Sequence, residues 1–217
     1  MPLLVIGSKN YSSWSLRPWL FLRKVGFDFT ERLIAFDAPD YQRQICQVSP
    51  SGKLPLLVLG DNKIWDSLAI CEFAAEATGR GLPRERIARG VARSAAAEMH
   101  AGFQALREQC PMNIRAVGRR VPQKPDLARD IRRIDALWSA CRMEYGGGGG
   151  WLFGDFSVAD AMFAPVLFRF QSYGADLSPE ARAYYEHALA DVDVRAWQQA
   201  AREEKHVLPQ VDVVGKQ

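Results

Sequence analysis

The sequence predicts a mixed α/β domain followed by an all-α domain, and three observations lead there. Short apolar runs alternate with helix-like patterns over residues 1–80. A stretch rich in breakers, Gly79-Arg80-Gly81-Leu82-Pro83, then reads as a linker. Over residues 85–217 the strand signal vanishes and apolar residues recur at helical spacing.

The elements follow in order. Leu3–Ile6 reads as a buried strand, and Ser15–Val25 as a helix with Leu16, Trp19, Leu20 and Val25 broadly on one side. Phe29–Phe36 alternates well enough to be a second strand. Tyr41–Val48 predicts a short helix ending at the Ser49-Pro50-Ser51-Gly52 breaker. Leu54–Leu59 is a third strand, Gly60-Asp61-Asn62 a turn and Lys63–Trp65 a short fourth strand. Ser67–Thr78 predicts a helix that stops at Gly79. This order implies a mixed sheet with helices packed on it.

In the second half, residues 85–120, 126–145 and 157–172 predict long amphipathic helices, with shorter ones near 179–190 and 193–204. Ser157 and Asp160 stand at capping-box spacing, while Ala161 offers Phe156 a poor hydrophobic staple. Gly146–Gly150 is a run of glycines with no strand before it and no Lys-Ser/Thr pair after it. It therefore reads as a flexible connector rather than a phosphate loop.

Composition narrows the function classes. With 48% hydrophobic and 24% charged residues, the 217-residue chain can bury a real core. A net charge of +3 gives no footprint for nucleic acid or an anionic membrane. The Arg-rich stretches Arg84–Arg93, Arg115–Arg120 and Arg129–Arg133 are interrupted by acidic or apolar residues and read as solvated helix faces. Cys46, Cys71, Cys110 and Cys141 are too scattered for a zinc site, so no metal is expected. All four fall in expected helices, which favours reduced, mostly buried thiols. The apolar run after Met1 is too short for a signal-peptide core, and no stretch has the length of a membrane span. The expectation is a soluble cytoplasmic protein.

Three short segments carry chemistry. In Asn10-Tyr11-Ser12-Ser13-Trp14-Ser15, hydroxyls ring the amino terminus of the first helix, where unpaired N–H groups and the helix dipole favour an anion. One N-cap, expected at Ser15 with Pro18 in the first turn, leaves Ser12 and Ser13 without a structural role. In Lys53-Leu54-Pro55, a proline opening a strand suggests a rigid turn and a cis bond that would present the Leu54 main chain to a ligand. In Asp66-Ser67, a carboxylate precedes a helix start expected to be capped by Ser67. That pair offers an anion to an ammonium, and a hydroxyl with N–H groups to a carboxylate.

The order and spacing of these segments resemble the thioredoxin-fold domain of glutathione S-transferases, and the all-helical second half resembles the rest of that family. Ser12-Ser13-x-Ser15 followed by Arg17 is similar to its serine-type, zeta-like branch. The resemblance implies an α/β thioredoxin-like N-terminal domain over residues 1–80 that binds glutathione. It also implies an all-α C-terminal domain over residues 85–217 that holds the second substrate and the dimer contacts. On this reading Ser12 hydrogen-bonds the glutathione sulfur, with Tyr11 as the alternative thiol-activating residue. Ser13, Lys53, Leu54, Pro55, Asp66 and Ser67 bind the rest of glutathione. Phe103, Arg107, Met112 and Arg115 line the second site, where the two arginines could meet an acidic substrate, and Cys110-Pro111 is expected to kink their helix open. The implied activity is attack of glutathione thiolate on a small electrophile, a detoxifying transfer of alkyl or aryl groups by a homodimer. A non-catalytic binding or regulatory protein and a glutathione-dependent isomerase or peroxidase are the alternatives. Trp14 stands where zeta-like members carry a cysteine, which counts against maleylacetoacetate isomerisation.

Overall fold

The computed structural model describes residues 1–216. The first half builds β1 (Leu3–Gly7), α1 (Ser13–Val25), β2 (Thr30–Ile34), α2 (Tyr41–Val48), β3 (Leu56–Leu59), β4 (Asn62–Ile64) and α3 (Ser67–Thr78). The strands form one sheet in the order β2-β1-β3-β4. β1 pairs parallel with β2 and antiparallel with β3, and β3 pairs antiparallel with β4. Alternation along β1 divides the apolar side chains between two faces. Leu4 and Ile6 join the large core beneath α1 and α3, while Val5 meets Ile34, Leu56 and Ile45 of α2 on the other side.

The second half is helical: α4 (Arg86–Ala101), α5 (Gln104–Gln109), α6 (Pro125–Tyr145), α7 (Val158–Tyr173), α8 (Pro179–Ala190), α9 (Val192–Glu203) and α10 (Pro209–Asp212). α7 is nearly wholly buried and packs against both α1 and α4, so one apolar cluster runs from β1 through α1 into the helical half. The described residues hold no helix long and apolar enough to cross a membrane.

Several expectations need correction. α1 begins two residues early, because Ser12 rather than Ser15 is its N-cap. Ser15 lies inside the helix, where its hydroxyl accepts the Gly7 N–H at 3.1 Å. Pro18 consequently sits in the second turn. Asp66, not Ser67, caps α3. The expected helix over 85–120 stops at Ala101: the chain turns at Gly102, and Phe103 takes φ +59° before the short α5. After α5 it runs without regular structure from Cys110 to Lys124, since Pro111 has no N–H to continue a helix. Cys110 therefore sits just past a helix; all four thiols are free, and Cys46 alone among them is exposed.

Gly146–Gly150 is a packed turn, not a slack connector. Gly149 N donates to Gly146 O at 2.8 Å, and the Arg142 guanidinium donates to the carbonyls of Gly149 and Trp151. A Cβ at Gly149 would come within 2.2 Å of the Gly154 carbonyl oxygen, so close backbone approach is what demands glycine there. The Ser157–Asp160 box forms as the spacing implies. Phe156 has no staple partner in Ala161 and packs edge-on against Trp151 instead, with ring centroids 4.9 Å apart.

Candidate functional site

A cavity of about 500 Å³ opens between the two halves of the chain. Its floor comes from the β3 approach, where Lys53, Leu54 and Pro55 line it, and from the start of α3, where Asp66 and Ser67 do. The Leu54–Pro55 bond is cis. Because the β3 ladder begins at Leu56, the Leu54 main chain lies outside the sheet's pairing and beside the cavity. Ser49 Oγ donates to the Lys53 carbonyl at 2.7 Å and fixes the turn just ahead of it.

Asp66 serves two neighbours. Its Oδ1 accepts the Leu68 N–H at 3.0 Å, which is the helix cap, and its Oδ2 lies 3.2 Å from His100 Nε2. The carboxylate stays about half exposed, so it is available to a ligand. Ser67 is fully buried, and its hydroxyl has no hydrogen-bond partner. A hydroxyl at a helix amino terminus can donate to an anionic acceptor alongside the helix N–H groups.

Trp14 and His100 complete the walls, and the sequence reading assigned neither to the site. Their rings meet edge to face at 5.3 Å. His100 comes from the last turn of α4, and only the packing of α4 beside α3 and α7 brings it here.

Ser12 and Ser13 are placed at the mouth of α1 rather than in the cavity lining. Ser12 is buried; its hydroxyl accepts the Ser15 N–H at 3.4 Å and donates to Ser15 Oγ at 2.7 Å. Ser13 is half-buried. Tyr11 points elsewhere altogether. Its hydroxyl accepts from Arg115 Nη2 at 2.7 Å and from Leu208 N at 3.1 Å, and donates to the Asp212 carboxylate at 3.0 Å. Arg115 is committed to the same knot, donating to the carbonyls of Glu204 and His206, so it is not the solvated cation its sequence neighbourhood suggested. The tail after α9 thus straps the loop that leads into α1, and Glu204 accepts the N–H groups of Lys9 and Asn10 as well.

This knot makes a prediction. Tyr11→Phe takes a hydrogen-bond partner from three half-buried groups, Arg115, Leu208 N and Asp212, and should lower stability by about 1–2 kcal/mol, a fall of roughly 2–8 °C in Tm for a chain this long. Calorimetry checks the fall, and an unchanged Tm would mean that the knot carries none of that stability.

The other second-site expectations divide. Phe103 and Met112 are buried in the core, Phe103 against Phe163 of α7 at 6.3 Å, and they do not line the cavity. Arg107 does stand by the cavity wall: its guanidinium lies 4.9 Å from the Trp14 ring, and Nη2 donates to the His100 carbonyl at 2.9 Å. The described residues contain no group of three or more His, Cys, Asp or Glu side chains placed to hold a metal.

Comparison with known proteins gives this geometry its family. The chain is 24% identical over 186 residues to a probable maleylacetoacetate isomerase of Caenorhabditis elegans, covering 82% of this chain and 83% of that protein. Its fold matches a glutathione transferase homolog from Burkholderia gl BGR1, solved with bound glutathione, at TM-score 0.68 and 22% identity over 94% of this chain and 99% of the other. A glutathione transferase from Methylococcus capsulatus matches at TM-score 0.64 and 25% identity, covering 93% and 98% of the two chains. The model of the glutathione S-transferase N-terminal domain matches residues 11–77 and that of the C-terminal domain residues 84–187, so the chain belongs to the glutathione S-transferase family.

Proposed function

We propose that this protein binds glutathione in the cavity beside α1 and α3 and stabilises its thiolate for attack on a small electrophile. One juxtaposition carries the reading: the Asp66 carboxylate, the unpartnered Ser67 hydroxyl and the Leu54 main chain all border one cavity. The ammonium of a γ-glutamyl group suits Asp66, its carboxylate suits Ser67 and the α3 amino terminus, and the cysteinyl backbone suits Leu54. Lys53 and Pro55 border the same floor and contribute to the same ligand. The solved Burkholderia relative holds glutathione, which supports the choice of ligand.

Ser12 has the chemistry to activate the thiol. A free thiol near pKa ~8.5 is mostly protonated at neutral pH, and lowering it by about two units takes roughly 2.7 kcal/mol of preferential thiolate stabilisation. The Ser12–Ser15 hydroxyl pair can supply part of it by reversing its sense. If Ser15 donates to Ser12, the Ser12 proton is free to turn towards a sulfur at the mouth of α1, with the helix dipole adding to it. Ser13 stands beside it as a second donor. Ser12→Ala should therefore cut turnover by roughly 10- to 100-fold while glutathione affinity stays within about threefold. Unchanged turnover would remove Ser12 from the role.

Isothermal titration with glutathione tests the reading as a whole. Saturable binding of one glutathione per chain supports it, and no heat at millimolar glutathione leaves a non-catalytic regulatory protein of the same fold. A second chemistry, glutathione-dependent isomerisation, is favoured by the isomerase relative and shares the first site. Assay of an isomerisable and a conjugating substrate side by side separates the two. On family membership we also propose a cytoplasmic homodimer, which sedimentation of the purified protein checks.

A further inference from the structure

Of the residues that line the cavity, all but one come from the first half of the chain. The exception is His100, in the last turn of α4. Several contacts fix its place. Arg107 donates to the carbonyls of Met99 and His100 and so ties down the end of α4. The Trp14 ring meets the imidazole edge to face, with centroids 5.3 Å apart. Held in this way, the ring brings Nε2 to 3.2 Å from Asp66 Oδ2, while Nδ1 is buried without a hydrogen-bond partner. Among the described residues, Asp66 is therefore the one polar group that the ring nitrogens meet.

The contact gives Asp66 a second fixed point. The Leu68 N–H holds Oδ1 at 3.0 Å, and that bond alone supplies the cap of α3. With the side chain 55% exposed, a single bond leaves the carboxylate plane free to swing about it. A carboxylate only accepts, so the imidazole nitrogen facing it carries a hydrogen. One N–H at each oxygen sets the plane, and each oxygen keeps a further lone pair for a ligand. So exposed a contact adds little to folding stability. Its larger consequence is for binding, because a side chain ordered in advance spares the ligand that ordering cost.

Resting on the glutathione reading above, we infer that His100 is a positioning residue for Asp66, holding the carboxylate in the orientation that accepts the γ-glutamyl ammonium. The helical half thereby contributes to glutathione affinity through one side chain. His100 acts through Asp66 alone, since a ring N–H and an ammonium are both donors and do not bond each other. Its effect is accordingly confined to ligands that carry an ammonium at that end. A packing role for the ring has no such dependence on the ligand.

Deamino-glutathione, which has hydrogen in place of the α-ammonium and is otherwise the same molecule, separates the two roles. Calorimetry on the whole chain at neutral pH compares the wild type with two variants. His100→Phe keeps a ring against Trp14 but has no N–H, and His100→Gln keeps an N–H that can face Oδ2. His100→Phe should weaken glutathione binding roughly fivefold and deamino-glutathione binding by less than about twofold. His100→Gln should restore glutathione affinity to within about twofold of the wild type. Equal losses for the two ligands, or no loss for either, would overturn the inference, since the ring would then serve packing alone. So would a loss in His100→Gln as large as in His100→Phe. Tighter glutathione binding by His100→Phe would overturn it as well, because the ring would then compete with the ammonium. Should His100→Phe not fold, His100→Leu takes its place in the same comparison. The wild type tests the underlying reading separately. If it binds no glutathione that reading falls and this one with it, and if it binds both ligands alike Asp66 does not hold the ammonium.

Discussion

Asp160→Ala should unfold this protein more readily than any other single change to a polar side chain, by about 3–5 kcal/mol, or roughly 10 °C in Tm. Asp160 is buried to 1% exposure in the first turn of α7, the helix that packs on both α1 and α4. Its Oδ2 accepts the Ser157 N–H and the Ser157 hydroxyl, each at 2.8 Å, and its Oδ1 accepts the Leu152 N–H at 3.1 Å. Alanine leaves all three donors buried and unpaired, which costs more than the loss of an exposed cap. Ser157→Ala removes one hydroxyl from the same box and should cost only about 1 kcal/mol.

The same group sets a pH dependence. Burial pushes the Asp160 carboxyl up from 3.8 to about 6, against the pull of its N–H and hydroxyl donors. The folded protein therefore takes up this proton before the unfolded chain does, as pH falls. Stability from this group rises on acidification from about pH 6 towards 3.8 and is lost again as pH rises through that window, by on the order of 3 kcal/mol. Urea titrations of the wild type and Asp160→Asn across that window should show their difference changing there and staying flat above pH 7. A flat difference throughout would mean that Asp160 is ionised in the fold at all these pH values.

The contrast between elements shows what the sequence could disclose. α2 spans Tyr41–Val48 and α3 Ser67–Thr78, as the pattern indicated, because local breakers mark their ends. The Ser157–Asp160 box was legible for the same reason: a capping box is a spacing rule confined to one helical turn. The segment after Ala101 was not. Leu106, Cys110 and Ile114 keep helical spacing and are all buried, but the chain places them by long-range bonds. Ser172 Oγ donates to the Asn113 carbonyl, and Ile114 N to the Asn10 carbonyl. The helix caps failed in a third way. At each start a residue upstream of the expected one caps, Ser12 instead of Ser15 and Asp66 instead of Ser67.

The site divides along the same line. Lys53, Leu54, Pro55, Asp66 and Ser67 were visible because a proline turn and a helix start announce exposed main-chain groups within a few residues. Trp14 and His100 were not, since their meeting depends on α1 and α4 both packing against α3. Tyr11 shows the cost of reading a loop alone: its partners Leu208 and Asp212 lie about two hundred residues away in sequence.

Asp66→Asn should weaken glutathione binding by roughly 10- to 100-fold without destabilising the fold. The separation of these two effects is the point of the substitution. Asp66 caps α3 through Oδ1 and offers charge through Oδ2, so Asp66→Ala removes both and confuses a lost ligand contact with a frayed helix. Asparagine caps as well as aspartate, so the Leu68 N–H keeps an acceptor and Tm should hold within about a degree or two. What asparagine lacks is the negative charge for an α-ammonium, and a hydrogen bond to a charged group is worth about 1.5–3 kcal/mol. Calorimetric titration of the wild type and of Asp66→Asn with glutathione reads that loss directly, and thermal unfolding of the two shows whether the cap is kept. Full affinity retained in Asp66→Asn would mean that the ammonium finds its partner elsewhere, and the cavity would need another ligand.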